Sequence, residues 1–549
     1  MLKEKDVRRA LLHLTSIGDT DIFPAPFEYH FYRETADKIV AEAGKVDFGK
    51  FRPRGAVELL TPKGSLSFRI AHQLYPADTV LYTAAVLEIA GDVEKMRQPV
   101  ERGPFSYRYI DDENEARIFA SNSSYHDWIQ HLSSVYEKHK KGSKKVVIES
   151  DISDFYSRIY FHRIEHVLDD VGARNPVRKI IEGIIKFSRG RQSHGLPVGS
   201  TASRVLAEGL LNDTDVTMAD DVLEFSRYVD DFRMVCLDEV DGHSTVCKLA
   251  EHLMLTEGLS LNSSKTRMYS VDAGLKDCER KLSDVLNDED VVEVSRYIRR
   301  VYEAEDASVE DIDDVDPQRI VDRVRELVNR EPVDYGALKV LLRALRATGC
   351  DNAAEFVGEF GQLLYYLPRD FCLLAGALAQ RHQGDGERIA EALVEGCNKA
   401  PAKEIILAKV WVAHLFVAQA LPVTKKLLKA LKLGDSTLEK RSAYLIKGLL
   451  RDRSFFRAHK TSFTETSDWV KSALLFGASC MSRSEYATWL DTIKDHYDDP
   501  FAPTYLKWLK DNQGNLYEKI REDFKIQSRA EKIASEFSEL FGDEDSDVP

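Results

Sequence analysis

Tyr228-Val-Asp-Asp-Phe232 sets two adjacent carboxylates between apolar and aromatic residues, inside Phe225-Ser-Arg-Tyr-Val-Asp-Asp-Phe-Arg-Met-Val-Cys236. Adjacent acids ordinarily sit on a surface turn, where water screens their repulsion. Here both flanks read as strand, which predicts a hairpin with Asp230 and Asp231 at its tip. A polar turn is the plain reading; a divalent cation that offsets the repulsion is the chemical one. A further carboxylate lies 79 residues upstream. Val146-Val-Ile-Glu-Ser-Asp-Ile-Ser-Asp-Phe-Tyr156 reads as a strand ending at Asp151, then a helix start that Ser153 or Asp154 can cap. Asp151 as the cap itself is the competing reading. Taken together, Asp151, Asp230 and Asp231 are three carboxylates from two strands. Such a set suits two Mg²⁺ ions clamping the attacking and leaving oxygens of a phosphoryl transfer.

Between these acids lies Gly195-Leu-Pro-Val-Gly-Ser-Thr-Ala-Ser203, followed by an apolar helical pattern. Gly195 and Gly199 permit close backbone approach, Pro197 stiffens the turn, and Ser200, Thr201 or Ser203 can cap the helix. The densest basic run, Lys138-His-Lys-Lys-Gly-Ser-Lys-Lys145, precedes the Asp151 strand. It reads equally as a solvated loop or as a nucleic-acid backbone contact.

The elements that must position these residues fall into two regimes. Up to about residue 280, short apolar runs alternate with turns and helical patterns, an α/β or α+β signature. Beyond it the pattern is helical almost throughout, with apolar periodic segments at Tyr335–Ala347, Ala353–Leu367, Phe371–Arg381, Arg388–Cys397, Glu404–Gln419 and Val423–Leu433. Leu438–Leu450, Ser467–Phe476, Glu485–His496 and Ala502–Asp511 continue the series. Helix after helix with short connections predicts a HEAT-like stack of helical pairs. The expected organisation is 1–280 as the α+β domain, 281–330 as a helical connector with an acidic loop, 331–540 as the all-α repeat-like domain, and 541–549 as an acidic disordered tail. Residues 281–330 hold 15 acidic and 8 basic residues, a local charge of −7.

Of the 549 residues, 43% are hydrophobic and 30% charged, which excludes a disordered chain, a collagen-like fibre and a membrane-embedded protein. No apolar run approaches the ~18 residues of a spanning helix. The first residues lack the apolar core of a secretory signal, so a cytoplasmic, membrane-free protein is expected. The seven cysteines are scattered, with no CxxC and no zinc-finger spacing, so most should be buried thiols. A net charge of −15 does not by itself suggest a nucleic-acid binder.

The order Asp151, then Gly195–Ser203, then Tyr228–Phe232 resembles the palm of a reverse transcriptase. Gly258-Leu-Ser-Leu-Asn-Ser-Ser-Lys-Thr266 resembles the next palm motif, and Thr61-Pro-Lys-Gly-Ser-Leu-Ser-Phe-Arg69 resembles the fingers hairpin. The resemblance covers roughly residues 20–280. It implies that Asp151, Asp230 and Asp231, assisted by the backbone carbonyl of Ile152, hold two Mg²⁺ ions, with Mn²⁺ as an alternative. It also implies that Lys63 and Arg69 contact the triphosphate, that Pro197 and Gly199 border the nucleotide, and that Lys265 protonates the leaving pyrophosphate. Tyr156, five residues after Asp151, would exclude a 2′-hydroxyl and so select dNTPs, with Phe155 as the alternative gate. Many reverse transcriptases carry Gln where this chain has Val198, whose side chain cannot hydrogen-bond near the nascent pair.

No nuclease-like carboxylate set follows residue 280. The helical half, with Ser203-Arg-Val-Leu-Ala-Glu208 and Asp19-Thr-Asp-Ile-Phe-Pro24, resembles the abortive-infection (AbiK-like) reverse transcriptases of bacterial defence. That implies a trimer or hexamer and untemplated DNA synthesis primed from a protein hydroxyl, with a single-stranded DNA product attached covalently. The alternatives are copying of a dedicated non-coding RNA and a vestigial site on an interaction scaffold. Residues from about 285 onward are expected to pack against the palm, with Glu303–Asp316 outside the channel.

Overall fold

A computed structural model describes the chain except residues 48, 65, 141–143, 191, 285–315, 331–332, 383 and 528–549, and except the side chains of 282–284 and 523–527. The acidic stretch 303–315, the acidic tail and most of the connector therefore lie outside the described residues.

The first half centres on a four-stranded antiparallel sheet: β3 (Val146–Asp151), β4 (Glu224–Tyr228), β5 (Asp231–Cys236) and β6 (Arg267–Ser270), in the order β4-β5-β3-β6. Strand periodicity sends alternate residues to opposite faces. Ile148 and Met234 enter the main core, whereas Val147 and Val235 enter a second cluster. In that second cluster they meet Trp128 and Tyr136 of helix Tyr125–His139 and Leu275 of helix Val271–Asp284. Both faces are covered, which is why Val146–Ile148 and Met234–Cys236 read as continuous apolar runs. A separate hairpin pairs β1 (Val57–Pro62) with β2 (Phe68–Gln73). The 21-residue helix Pro76–Met96 is buried over most of its circumference and packs against helices Glu4–Ser16, Asn175–Ser188 and Thr201–Leu210.

In the second half, helices Tyr335–Thr348, Pro368–Arg381, Ile406–Val417, Thr437–Leu449 and Asp468–Gly477 stack in succession. A parallel row holds Ala353–Glu359, Gly386–Asn398 and Lys425–Leu431. Among the described residues, no helix is long and apolar enough to cross a membrane. Five of the seven cysteines are buried.

The two halves share one contiguous apolar core running from Leu2 to Ile520. Among the described residues, the polar contacts of the helical half run to the N-terminal and fingers segments, where the expected docking surface was the palm. Arg441 Nη2 donates to both Glu28 carboxylate oxygens, at 2.7 and 2.8 Å, in a fully buried pair. Trp411 Nε1 donates to Ile22 O at 2.9 Å, and Trp469 Nε1 to Gly55 O at 2.8 Å. Tyr75 OH donates to Asp499 Oδ2 at 2.6 Å, and Trp508 Nε1 to Glu34 Oε2 at 2.7 Å.

Candidate active site

β4 and β5 form the expected hairpin, but Asp231 begins β5 rather than lying at the tip, because it pairs with Tyr228. Tyr228 pairs with Asp231, leaving Val229 and Asp230 as the two-residue turn. Val229 sits at φ +56°, in the left-handed region that β-branched residues rarely adopt, at a cost of roughly 1–3 kcal/mol. The surroundings hold it there. Its N–H donates to Ser106 Oγ at 2.8 Å, and its carbonyl accepts from Arg227 Nη1 at 2.6 Å. Arg227 is anchored behind the turn by Asp215 and Glu208. Glu208 also accepts from Arg97 Nη2 at 2.7 Å and from Ser106 Oγ at 2.6 Å. Arg97, Arg227, Glu208 and Asp215 thus form a buried charged network, from which one Arg227 donor and the Ser106 acceptor aim the turn. Sequence reading missed this network; the only signal was an arginine one residue before Tyr228, in the strand that leads to the acidic pair.

Asp151, at the end of β3, is the Cα partner of Asp231, and the carbonyl of Asp230 accepts from Ile152 N–H at 3.1 Å. The three acids therefore meet at one corner of the sheet. Burial, then the charges of Asp151 and Asp231, push the Asp230 carboxyl up to about 7. Burial also raises Asp231, with Arg233 opposing. Lys265 Nζ lies 2.8 Å from Asp151 Oδ2, and Asn262 Nδ2 lies 3.4 Å from the same oxygen. Asn262 N–H also donates to Asp151 O at 2.7 Å, so the 258–266 segment folds over this acid. Sequence reading did not single out Asn262. Although burial opposes it, the Asp151 carboxylate raises the affinity of Lys265 for its proton.

Among the described residues, no three His, Cys, Asp or Glu side chains stand close enough together to hold a metal ion. The donor chemistry nonetheless fits one. Three carboxylates repel one another at a half-buried corner, an all-oxygen set that suits a hard divalent cation.

The glycine-rich loop is tied to this corner. Gly195 N–H donates to Ile159 O at 2.7 Å and Leu196 N–H to Tyr156 O at 2.8 Å. Val198 is held by His72 on β2: its N–H donates to Nδ1 and its carbonyl accepts the His72 N–H, both at 3.1 Å. Burial and the adjacent Arg189 lower His72 to about 3, so its ring is neutral and able to accept. Gly195 has φ +99°, and a Cβ there would lie 2.6 Å from Arg189 Nε; Gly199 has φ +107°. Pro197 is buried and Gly199 half-buried.

Two expected caps are corrected. Ser200 begins helix Thr201–Leu210 without capping it. Asp19 Oδ1 does so instead, accepting from Thr201 N–H at 2.9 Å and Ser200 Oγ at 3.2 Å. A carboxylate from a distant loop supplies the negative charge that a helix N-terminus favours. Asp154 adopts φ +50° before the short helix Phe155–Arg158 and makes no capping bond.

Tyr156 is half-buried, with its ring 5.3 Å from that of Phe155, which is buried in the core. Lys63 and Arg69 are exposed on the β1–β2 hairpin, where Arg69 pairs with Thr61. The Lys63 charge reaches Asp230, and the Arg69 charge reaches Asp21. Of the basic run, Lys145 directly precedes β3, whose first residue Val146 lies five residue steps or about 17 Å from Asp151, while residues 141–143 lie outside the described residues. There Lys145 contacts His139, which contacts Glu224.

Residues 95–305 match the family model described as reverse transcriptase (RNA-dependent DNA polymerase), a span that begins after the β1–β2 hairpin. No curated protein matches. Similar solved structures include apo telomerase from Candida tropicalis, at 11% identity, covering 72% of this chain and 73% of that one with a TM-score of 0.31. Telomerase from Candida albicans with a fragment of telomeric RNA has 12% identity, covers 72% and 71%, and has a TM-score of 0.30. Over residues 95–305 this chain carries a reverse-transcriptase domain, and it is a nucleotidyltransferase.

Proposed function

We propose that this chain is a DNA polymerase of reverse-transcriptase type that adds dNTPs to a primer hydroxyl in an abortive-infection defence system. The observation that carries the polymerase reading is the corner where Asp151 and Asp231 pair across β3 and β5 with Asp230 on the adjoining turn. Asp151, Asp230 and Asp231, with the Ile152 carbonyl, would hold two Mg²⁺ or Mn²⁺ ions, which when bound stabilise the attacking and leaving oxygens. Lys63 and Arg69 bind the triphosphate. Lys265, already beside Asp151, delivers a proton to the leaving pyrophosphate. Tyr156, and not the buried Phe155, stands against the sugar and excludes the 2′-hydroxyl. Pro197 and Gly199 shape the loop bordering the nucleotide.

The defence reading rests on Asp19–Pro24 and Ser203–Glu208, the two strings that resemble the AbiK-like enzymes. Both contain residues that work at the site: Asp19 caps the helix after the glycine-rich loop, and Glu208 anchors the catalytic turn. We read residues 331–540, whose described helices stack in succession, as a HEAT-like domain, the assembly as a trimer or hexamer, and synthesis as untemplated and protein-primed. Val198 supports the untemplated reading. Incubating the protein with dNTPs and Mg²⁺ and sequencing the product tests it. DNA of skewed or random composition attached to protein supports it; a defined sequence copied from a co-purifying RNA overturns it.

A further inference from the structure

The glycine-rich loop is irregular backbone between two residues of positive φ, Gly195 and Gly199, and its polar groups must find hydrogen bonds outside regular structure. Three separate elements supply them. Gly195 and Leu196 bond to Ile159 and Tyr156, in the segment after Asp151. Thr201 N–H and Ser200 Oγ bond to Asp19, in the N-terminal loop. Val198, between them, gives both of its backbone groups to a single residue, His72.

His72 is 2% exposed, and the groups around it fix its ring. Nδ1 accepts from Val198 N–H, so the neutral ring carries its proton on Nε2. Nε2 faces Glu58 Oε1 at 3.2 Å, across the β1–β2 pair. Arg189 Nη1 lies 3.1 Å from the same Glu58 oxygen and also stands against Nε2, so its charge opposes a second proton on the ring. A doubly protonated ring could not accept from Val198.

The same strand carries Arg69, assigned above to the triphosphate. β2 runs from Phe68 to Gln73, which puts Arg69 and His72 three residue steps or about 10 Å apart. One short strand thus joins a phosphate-binding residue to the support of Val198. The Val198 side chain has no hydrogen bond to offer, so the loop presents itself to a nucleotide through the position of its backbone. Its other flank is closed: a Cβ on Gly199 would lie 3.0 Å from Thr20 Oγ1.

We propose that His72 is a positioning residue for the incoming nucleotide: by holding both backbone groups of Val198, it sets the Pro197–Gly199 loop at a fixed distance from Lys63 and Arg69, and so sets the affinity for every dNTP, whatever its base. The proposal rests on the polymerase reading and adds to it a residue that lies before the matched span 95–305.

Steady-state DNA synthesis by the full-length protein with Mg²⁺, each dNTP varied in turn, tests it beside melting curves. His72→Ala should raise KM about ten-fold for all four dNTPs, the effect of losing one hydrogen bond, and leave kcat close to wild type. His72→Asn, whose Oδ1 stands near the position of Nδ1, should restore most of the wild-type KM. His72→Gln, whose carbonyl reaches toward the position of Nε2, should not. A merely structural role gives another pattern: a lower melting temperature and a smaller active fraction, hence a lower apparent kcat at unchanged KM. That pattern overturns the proposal, as does a KM effect confined to one base. Equal KM values in the Asn and Gln variants also overturn it, a comparison that holds even where His72→Ala fails to fold. A wild type that incorporates no dNTP overturns the polymerase reading and this proposal with it. A wild type that incorporates dNTPs, beside a His72→Ala protein of unchanged KM, overturns this proposal alone.

Discussion

Arg227 grips Asp215 with two parallel hydrogen bonds, 2.7 Å from Nε and 2.6 Å from Nη2, and both side chains are fully buried. The same guanidinium still has a donor for the Val229 carbonyl. A bidentate pair of this kind fixes direction as well as charge. The turn carrying Asp230 is therefore aimed from behind, by residues that face no substrate.

Removing one member of that pair should be costly. Asp215→Ala leaves Arg227 with less compensating charge in a dry site, and a loss of about 3–5 kcal/mol is expected. Urea denaturation measures it. Ser106→Ala removes a smaller support, the acceptor for Val229 N–H, and should cost about 1–3 kcal/mol. DNA synthesis by the folded fraction should also fall, because the turn is free to relax. Wild-type stability in Asp215→Ala would show that the network does not hold the hairpin.

Tyr156→Ala should admit ribonucleotides, since the Tyr156 ring is half-buried and within electrostatic reach of Asp230, whereas Phe155 is packed in the core. Incorporation of rNTPs and dNTPs in parallel reactions measures the ratio. If discrimination is unchanged, Tyr156 is a packing residue.

The raised Asp230 carboxyl predicts a pH trend for the metal-free protein. Its folded value is about 7 against 3.8 unfolded, so between those values the folded state binds more protons. Stability from this group is then present at low pH and declines as pH rises from about 4 to about 7. Asp78, buried near Arg54, is also raised to about 7, and Asp19 to about 6, with the same sign. Thermal melts in EDTA should show the decline, and Asp230→Asn should make it shallower. Mg²⁺ should protect more at pH 8 than at pH 5.5, since it binds the deprotonated carboxylates. An identical slope in Asp230→Asn would remove this group from the explanation.

A chain ended near residue 285 should be insoluble or inactive. It would expose the apolar surface of the shared core and strip Glu28 of its Arg441 and Ser472 partners. Expression and solubility of the shortened chain, with synthesis assayed on any soluble fraction, checks this. A soluble, fully active truncated enzyme would make the helical half an accessory module.

The carboxylate corner was legible because strand alternation and a two-residue turn are local signals. β3 ends at Asp151 and the hairpin tip carries Asp230, as the runs Val146–Asp151 and Phe225–Cys236 imply. Helices such as Tyr335–Thr348 and Ala502–Asp511 were legible for the same reason. Ala353–Leu367 read as one helix but breaks after Glu359, where Gly361 approaches Gly396 closely, a contact between helices that periodicity does not encode. The Asp19 cap joins residues 182 apart, and the partners of Arg227 lie on preceding helices, so only the folded chain brings them together. The docking face was hidden because tryptophan N–H groups and a buried Arg–Glu pair carry it, where apolar patterning alone gave no direction.

The most direct measurement is incorporation of labelled dNTPs by wild type and by Asp230→Asn/Asp231→Asn, with and without Mg²⁺, resolved on a denaturing gel beside melting curves of both proteins. The two-cation assignment predicts a Mg²⁺-dependent product from wild type. It predicts a drop of about 10³-fold or more in the double variant, whose fold is retained. A double variant that synthesises DNA at a comparable rate would contradict it.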